Sequence, residues 1–213
     1  TDGVSLVGAG DDQTVFEIDH SSGWTGDAIS VAGEWPWQDV QLDASIADGA
    51  TNLELSGGPE LRAGDWLWLE AENTGAYLNS IGDTEWREDK PLRTSIVQVK
   101  HVTDDGVVLE NGVQFDFPQD ETTVQKLDPV ADVTLSGFSL SYNLGAPDAG
   151  TFENTQDAYT RDSAVHVAHA VGTQVSDITV TDAASHGFTF MYSAEVSAND
   201  LTVDGAHNKG GGG

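Results

Sequence analysis

The chain carries a degenerate repeat of short, alternating apolar strands that are separated by Gly, Asn and Asp. The apolar positions that recur most clearly, 23 residues apart, are Val165 and Phe188, Val167 and Phe190, Ile178 and Leu201, and Val180 and Val203. A repeat of this length is typical of stacked supersecondary units. Because the units leave no room for a helix, the pattern predicts an all-β solenoid, whose long ladder of side chains suits the recognition of a polymer.

Charge is the second constraint. Eight basic residues face 36 acidic ones among 213, which gives a formal net charge of −28. So large an excess of negative charge disfavours nucleic acid or an anionic membrane surface as a partner. The aromatic residues and the regular apolar alternation argue against disorder. The composition therefore favours adaptation to high salt, where the Debye length falls to roughly 3 Å at 1 M; an acidic protein of an ordinary extracellular setting is the alternative.

Cysteine is absent, so the chain has no disulfide framework and no thiol chemistry. No apolar run is long enough for a membrane-spanning helix. The sequence opens on strand-like alternation without an initiator Met and stops on Gly210–Gly213. We expect a processed product or a piece of a longer protein.

Two polar stretches interrupt the strands, at 71–94 and at 143–162. Structureless loops above about 15 residues are uncommon in compact domains unless they are functional. Functional residues are therefore expected in these two insertions. The strands are irregular over 1–132 and regular over 133–213.

Several motifs resemble those of the pectate-lyase-like superfamily of right-handed parallel β-helices. They are Gly3-Val4-Ser5-Leu6-Val7-Gly8-Ala9-Gly10, Ala63-Gly64-Asp65-Trp66-Leu67, the V-x-L-S-G-F-x-L segment from Val133 and the V-S-D-I-T-V segment from Val175. The resemblance implies one single-stranded β-helix domain over 1–213 with two loop insertions. It also implies a secreted polysaccharide lyase, hydrolase or epimerase, or a viral tailspike or tail-fibre protein. A homotrimer is the oligomer that resemblance to tailspikes suggests.

The 143–162 insertion is rich in groups that could transfer protons. Paired carboxylates can act as acid and base in glycoside hydrolysis, and a lyase also needs a cation beside the uronate carboxylate. One residue in six is acidic, so carboxylate pairs also arise by chance. The candidate catalytic residues are Asp157, Arg161, Asp162, His186, His207 and Lys209, with Asp148 and Glu153 nearby.

Histidines cluster in the last coils, and they titrate near neutral pH. His166 alternates with Val165 and Val167 and should face outward, whereas His186 and His207 fall at coil corners; His169 lies close by. Ordinary surface histidines are the alternative. No metal-ligand spacing is present, and calcium is left as an unsupported partner because the chain has no EF-hand loop or nonapeptide repeat. No cofactor is expected.

Aromatic residues in loops could stack on sugar rings, with neighbouring polar groups bonding to the hydroxyls. The candidate carbohydrate-binding residues are Tyr77, Asn79, Glu85, Trp86, Arg87, Arg93 and Tyr159, and Trp24, Trp35 and Trp37 are further loop aromatics. Covering the flank of the coil or contacting another subunit is the alternative. Trp66 and Trp68 alternate with Leu67 and Leu69, so one face of that strand should be covered by an insertion.

Two functions remain open. One is an extracellular or virion spike or tail-fibre module that binds cell-surface polysaccharide or glycoprotein in high salt. The other is a polysaccharide lyase, hydrolase or epimerase acting on an acidic glycan. The fold does not decide between them, because function lies in the site that the fold carries.

Overall fold

A computed structural model of the chain describes residues 2–34, 37–83 and 90–209. It divides into two compact units: unit 1 is Thr1–Gly33 with Pro129–Gly213, and unit 2 is Glu34–Asp128. Strands are numbered along the chain. Those of unit 1 are β1 (Ser5–Val7), β2 (Val15–Ile18), β3 (Ile29–Ala32), β10 (Val130–Ala131), β11 (Thr134–Tyr142), β12 (Ser163–Ala168), β13 (Ala170–Val171), β14 (Gln174–Ala183), β15 (His186–Met191) and β16 (Ser197–Ala206). Those of unit 2 are β4 (Gln38–Leu42), β5 (Asn52–Ser56), β6 (Trp66–Ala71), β7 (Arg93–Thr103), β8 (Gly106–Leu109) and β9 (Thr122–Lys126).

Unit 1 is built from parallel sheets. One runs β1–β11–β14–β16, with β2 also paired to β11; a second runs β3–β12–β15; a third pairs β10 with β13. Successive strands in each sheet come from successive passes of the chain, as in a coil of stacked rungs. Unit 2 is inserted between the first pass and the second, since the chain leaves unit 1 after Gly33 and returns at Pro129.

The 23-residue repeat is confirmed as the spacing between neighbouring rungs. Each of the four pairs that define it occupies directly opposed positions in parallel strands: Val165 and Phe188, Val167 and Phe190, Ile178 and Leu201, Val180 and Val203. The preceding rung is longer, because Leu135 pairs with Val175 and the 143–162 insertion lies between them. The insertion thus lengthens one rung without changing the register.

The core of unit 1 consists of apolar side chains stacked from rung to rung. Phe138 lies opposite Ile178, and Leu140 lies opposite Val180; none of the four is exposed to solvent. Burial of each such side chain contributes about 1.5–3 kcal/mol. The expected interior stacking is therefore present in this unit, with the aromatic residues Phe138, Tyr142 and Tyr159 among the aliphatic ones.

Unit 2 is a closed antiparallel barrel in the order β4–β5–β8–β7–β6–β9, with β9 pairing back to β4. The expectation of parallel coils is therefore wrong for this part of the chain. The barrel interior holds alternate residues of every strand, such as Leu67 and Leu69 of β6. Parallel and antiparallel strands share the two-residue alternation, so the alternation could not distinguish a barrel from further coils.

The Trp66–Trp68 face of β6 lies outside that barrel core. Trp68 packs against Trp37, with ring centroids 5.8 Å apart, and Leu127 completes the cluster. Among the described residues, Trp37 and Leu127 lie against this face; the expectation that an insertion covers it stays a prediction, since residues 84–89 lie outside the described residues. The stretch between β6 and β7 carries the short helix α1 (Gly75–Ile81), which Thr74 caps by accepting from the Tyr77 amide and which ends at Gly82 in the left-handed conformation.

The handedness of unit 1, and the extension of one domain over 1–213 within a longer protein, stay predictions. In the ranges that the structure describes, no helix is both long enough and apolar enough to span a bilayer.

Candidate functional site

Four stretches of unit 1 meet at one turn of the coil, where the sheet of β11, β14 and β16 gives way to the sheet of β3, β12 and β15. They are residues 19–28, 143–162, 184–186 and 207–209, and we call them the loop corner. Each follows the same edge of a successive rung: after β2, β11, β14 and β16. Parallel stacking therefore brings together segments that are far apart in sequence.

The 19–28 loop and the end of the insertion hold each other through reciprocal carboxylates. The Gly26 amide donates to Asp162 Oδ2 at 2.7 Å, and the Ser163 amide donates to Asp27 Oδ1 at 2.8 Å. The Ala28 amide donates to the Ser163 carbonyl at 3.0 Å. Because both carboxylates bond to backbone amides, the loop has a defined position beside the first residues of β12.

Asp27 also orients an imidazole. Its Oδ2 lies 2.6 Å from His166 Nδ1, and both side chains are about one quarter exposed. A carboxylate accepts only, so Nδ1 carries the proton, and Nε2 is buried without a hydrogen-bond partner. A carboxylate that fixes the tautomer of a histidine in this way is the arrangement found in proton-transfer sites.

A second imidazole lies within an aromatic cluster. His20 is 6% exposed; its ring stacks on Trp24 and Tyr142 at 5.5 Å and lies 4.5 Å from Tyr159. His20 Nδ1 lies 2.8 Å from the Trp24 carbonyl, and Nε2 is buried without a partner. Trp24 itself remains 42% exposed. The corner thus presents the ring of Trp24 to solvent on a buried aromatic support, and the 143–162 stretch carries a second exposed ring, Phe152.

Burial and negative charge act on the groups around this cluster. Burial raises the pKa of the Tyr142 hydroxyl, and the Asp162 and Asp27 carboxylates raise it further, so that Tyr142 stays protonated at neutral pH. The pKa of Asp19 is lowered by hydrogen bonds from the Ser21 amide and hydroxyl and from Asn143. The Tyr142 phenol is therefore kept neutral, whereas hydrogen bonds favour the ionised form of the Asp19 carboxylate.

The insertion is fastened to the end of the last rung by polar groups. Asn208 bonds to both backbone groups of Gln156, at 2.9 and 2.8 Å. His207 Nε2 lies 3.1 Å from the Gly145 carbonyl, and Lys209 Nζ donates to the Asp148 carbonyl. Hydrogen bonds from the Thr151 hydroxyl and the Gly150 amide lower the pKa of Asp148 itself. The insertion is thus an ordered part of the corner.

All the candidate catalytic residues fall in the loop corner. Asp157, Arg161 and His186 are exposed, and Asp162 bonds to Gly26. His207 and Lys209 instead make the contacts that hold the insertion, and His207 is 5% exposed. The structure brings the set together; the catalytic role assigned to its members stays a prediction.

The candidate carbohydrate-binding residues are divided between the units. Tyr159 is buried in the loop corner, whereas Tyr77, Asn79 and Arg93 belong to unit 2. Arg93 is 5% exposed, pairs with Glu121 Oε2 at 2.9 Å and lies 4.0 Å from the centroid of the Tyr77 ring. Its guanidinium is therefore engaged within unit 2. Three further members, Glu85, Trp86 and Arg87, lie outside the described residues, as does Trp35.

Sequence reasoning missed His20 and Asp27 of the corner, and also Tyr142, the last residue of β11, whose ring stacks on His20. Asp27 and His166 are 139 positions apart, so no local spacing could associate them. The one usable signal was that the 19–28 loop precedes a strand that resumes the alternation, which places it at a corner once the coil is accepted. Within the parts of the chain that the structure describes, no group of three or more His, Asp or Glu side chains is arranged to hold a metal ion.

No protein-family model matches this sequence, and no curated protein matches it either. Solved structures do. The tailspike protein gp49 from Pseudomonas phage LKA1 matches with a TM-score of 0.63 and 15% identity over 87% of this chain, and the tailspike gp61 of Pseudomonas phage phi297 with 0.60 and 14% over 95%. The gp54 tailspike of Acinetobacter baumannii bacteriophage AP22, solved with a capsular saccharide, has a TM-score of 0.48 and 12% identity over 95%.

This chain spans 27%, 36% and 39% of the lengths of those three proteins. At such low sequence identity, the first two likenesses speak to the fold alone. The chain has a tailspike-like fold.

Proposed function

We propose that this chain is part of an extracellular or virion spike, or of a tail-fibre protein, that binds cell-surface polysaccharide or glycoprotein through the loop corner. Unit 1 would be a right-handed parallel β-helix of the pectate-lyase-like kind, and the whole protein a homo-oligomer, with a trimer as the first expectation. The fold shared with two phage tailspikes supports the spike assignment. It is an analogy of fold, so the site must carry the functional claim.

The exposed ring of Trp24 is the observation that carries the proposal. A sugar ring has an apolar face that packs on a flat aromatic surface, and Trp24 is backed by His20, so its ring is already positioned. The carboxylates of Asp27 and Asp162 lie at the same corner as hydrogen-bond acceptors for hydroxyl groups. A binding site that is positioned before its ligand arrives loses less entropy on binding.

High salt is part of the proposal because of the charge of −28. At molar ionic strength the repulsion between carboxylates more than a few ångströms apart is screened. Binding then depends on short-range contacts such as stacking on Trp24, which salt does not weaken.

The test is an array of microbial polysaccharides probed with the full chain in 2 M NaCl. We expect binding to a restricted set of glycans, and at least tenfold weaker binding by Trp24→Ala. Phe115→Ala is the matched control, since it removes a partly exposed aromatic ring from unit 2. Binding that neither substitution changes, or no binding to any polysaccharide, would refute the proposal.

Cleavage of the bound glycan is the second candidate function, and the Asp27–His166 pair favours it. A histidine held by a carboxylate can take and return a proton at its second nitrogen; in His166 that nitrogen is buried, so catalysis would require the groups that cover it to move. A lyase, hydrolase or epimerase acting on an acidic glycan would use it together with Asp162. Incubation of a bound polysaccharide with the wild type and with His166→Gln should then show shortened chains, or unsaturated products, for the wild type alone. If the wild type binds the polysaccharide but leaves its chain length and the absorbance of unsaturated products unchanged, the hypothesis of an enzyme is refuted.

A further inference from the structure

We infer that the loop corner has a second stacking subsite at Phe152, and that a polysaccharide chain binds along the coil axis from Trp24 to Phe152, passing Arg161. This inference rests on the proposed function, because it extends the same surface and names its ligand as a segment of several sugars. It is derived from the exposure of the two rings, from their places along the stack of rungs and from the exposed cation between them.

Phe152 is the most exposed of the large apolar side chains in the parts of the chain that the structure describes, at 80%. A single exposed apolar residue needs no explanation by itself. The backbone around Phe152, however, is held on both sides. The Asp148 carboxylate accepts from the Thr151 hydroxyl at 2.7 Å, and the Glu153 carbonyl accepts from the Lys209 amide at 3.3 Å. The ring therefore projects into solvent from a fixed backbone.

The two rings lie at opposite ends of the corner along the coil axis. Trp24 belongs to the loop that follows β2, which pairs with β11 at one end of the sheet. Phe152 lies at the other end, because Asn154 bridges to Asn208 just after β16. Between β2 and β16 there are three strand spacings, which amount to roughly 14 Å. This span exceeds one sugar ring, so a ligand that touches both rings contains several sugars.

The insertion itself runs along this axis. Near its start, Asn143 Nδ2 donates to Asp19 Oδ1 in the loop of the first rung at 2.6 Å. Further on, the Gln156 amide donates to Asn208 Oδ1 at the last rung at 2.9 Å. At its end, Asp162 accepts from an amide of the first loop again. The insertion therefore forms an ordered strip that connects the first rung to the last.

Arg161 lies within this strip, between the two rings. It follows Thr160, whose carbonyl accepts from the Ser185 hydroxyl after β14 at 3.2 Å, and it precedes Asp162, which bonds to the loop of Trp24. Arg161 is exposed, and no hydrogen bond or ion pair within the described residues holds its guanidinium. A guanidinium offers five N–H donors and no acceptor. It is therefore available to donate to the oxygens of a sugar segment that crosses from one ring to the other.

Two stacking subsites on one surface make affinity depend on the length of the ligand. Once a chain has bound at Trp24, its contact with Phe152 is intramolecular and benefits from a high effective concentration. Because both rings are already positioned, little further ordering of the protein opposes this second contact. A fragment too short to reach Phe152 loses this contribution.

The probes are oligosaccharides, from two sugars upward, obtained by partial acid hydrolysis of a polysaccharide that the chain binds on the array. In 2 M NaCl the affinity of the wild type should rise at least tenfold between the shortest fragments that bind and the length at which the affinity becomes constant. An affinity that does not depend on length would overturn the inference and leave the proposed function standing. Binding to no polysaccharide would overturn both.

Substitutions test the two new contacts directly. Phe152→Ala should weaken binding of the longest fragments at least fivefold and should make the affinity constant at a shorter length. Phe152→Tyr keeps a ring and should stay within twofold of the wild type, as should Phe115→Ala, which removes a partly exposed ring from unit 2. Arg161→Met should weaken binding of the longest fragments at least threefold. Circular dichroism confirms that each variant folds.

A wild-type affinity for the longest fragments in either Phe152→Ala or Arg161→Met would overturn the inference. Sedimentation velocity identifies the alternative role of the ring. If Phe152→Ala changes the oligomeric state and leaves the affinity unchanged, Phe152 is a contact between subunits and not a subsite.

Discussion

Arg93 shows at the scale of one residue how a charged side chain can be structural. Its guanidinium contacts the Glu121 carboxylate, the carbonyls of Glu72 and Asp116 and the face of Tyr77. Glu121 is 26% exposed and Arg93 6% at the side chain. A buried ion pair of this kind stabilises the fold little more than apolar residues in place of both partners would. Removing one partner alone is costly, because it leaves the other charge desolvated and unpaired.

Arg93→Met should therefore destabilise unit 2 by about 3 kcal/mol, the lower part of the range for a broken buried pair. Arg62→Met is the control, because Arg62 pairs with Glu60 on the surface with more than two thirds of each side chain exposed, and should change stability by no more than about 0.5 kcal/mol. Urea unfolding followed by tryptophan fluorescence measures both. Equal effects of the two substitutions would contradict this view of Arg93.

His169 couples the stability of unit 1 to pH. Burial lowers the pKa of its imidazole, and His166 lowers it further, while a backbone hydrogen bond involving Gly33 opposes them. In the unfolded chain the pKa is about 6.5. Below that pH the unfolded state binds the proton more readily, so this contribution to stability is present above pH 6.5 and is lost as the pH falls through the folded pKa.

His169→Asn should remove this part of the pH dependence. Asparagine also tolerates the left-handed backbone of this position, where φ is 50°. As the pH falls from 7.5 to 5.5, the variant should thus become more stable relative to the wild type, which is measured as a rising difference in the free energy of unfolding. A difference that stays constant over this interval would show that His169 does not titrate differently in the two states.

At the scale of elements, the stacked rungs divide into a buried row and an open edge. Ile178 of β14 lies between Phe138 and Leu201 and is fully buried, whereas Val203 of β16 is 47% exposed. Ile178→Ala should destabilise unit 1 by about 2–5 kcal/mol, because it deletes buried methyl groups and leaves a cavity. Val203→Ala should cost under about 1 kcal/mol. Chemical denaturation of both variants tests this, and equal losses would contradict the stacked core.

The parallel rungs could be predicted from the sequence, and the barrel could not. The 23-residue spacing of Val165 and Phe188 carries over directly into strand pairing, because one rung is one repeat. In unit 2 the alternation is the same, but the two-residue turn Asp104-Asp105, followed by Gly106, joins β7 to β8. A short turn of Asp and Gly flanked by alternating apolar residues indicates a hairpin, and it was the available sign of antiparallel strands.

The candidate site was predictable in position but only partly in composition. His186 comes three residues after the end of β14 and His207 directly after the end of β16, so their place at a coil corner was readable. Asp27 hydrogen-bonds to His166, although the whole of unit 2 lies between them in the sequence. The His20 ring packs against Trp24, Tyr142 and Tyr159, which come from three different segments. Contacts of that kind are created by the stacking of rungs, and no pattern within one rung contains them.

For the whole molecule, the charge of −28 dominates the dependence on solvent. Self-repulsion among 36 carboxylates opposes the compact state, and it weakens as the Debye length shortens. The melting temperature should therefore rise as NaCl increases from 0.05 to 0.5 M, a range in which screening changes most. Sucrose at matched osmolality is the control for solvent exclusion. A melting temperature that is flat or falls with NaCl would contradict the dependence on screening.

Hydrogen–deuterium exchange of the full chain, with and without a polysaccharide that it binds on the array, tests the central claim that the loop corner is the glycan-binding surface. The predicted result is slower exchange in residues 19–28 and 143–162 on addition of the polysaccharide, with unit 2 unchanged. Protection confined to unit 2, or no change at the corner when binding is saturated, would contradict it.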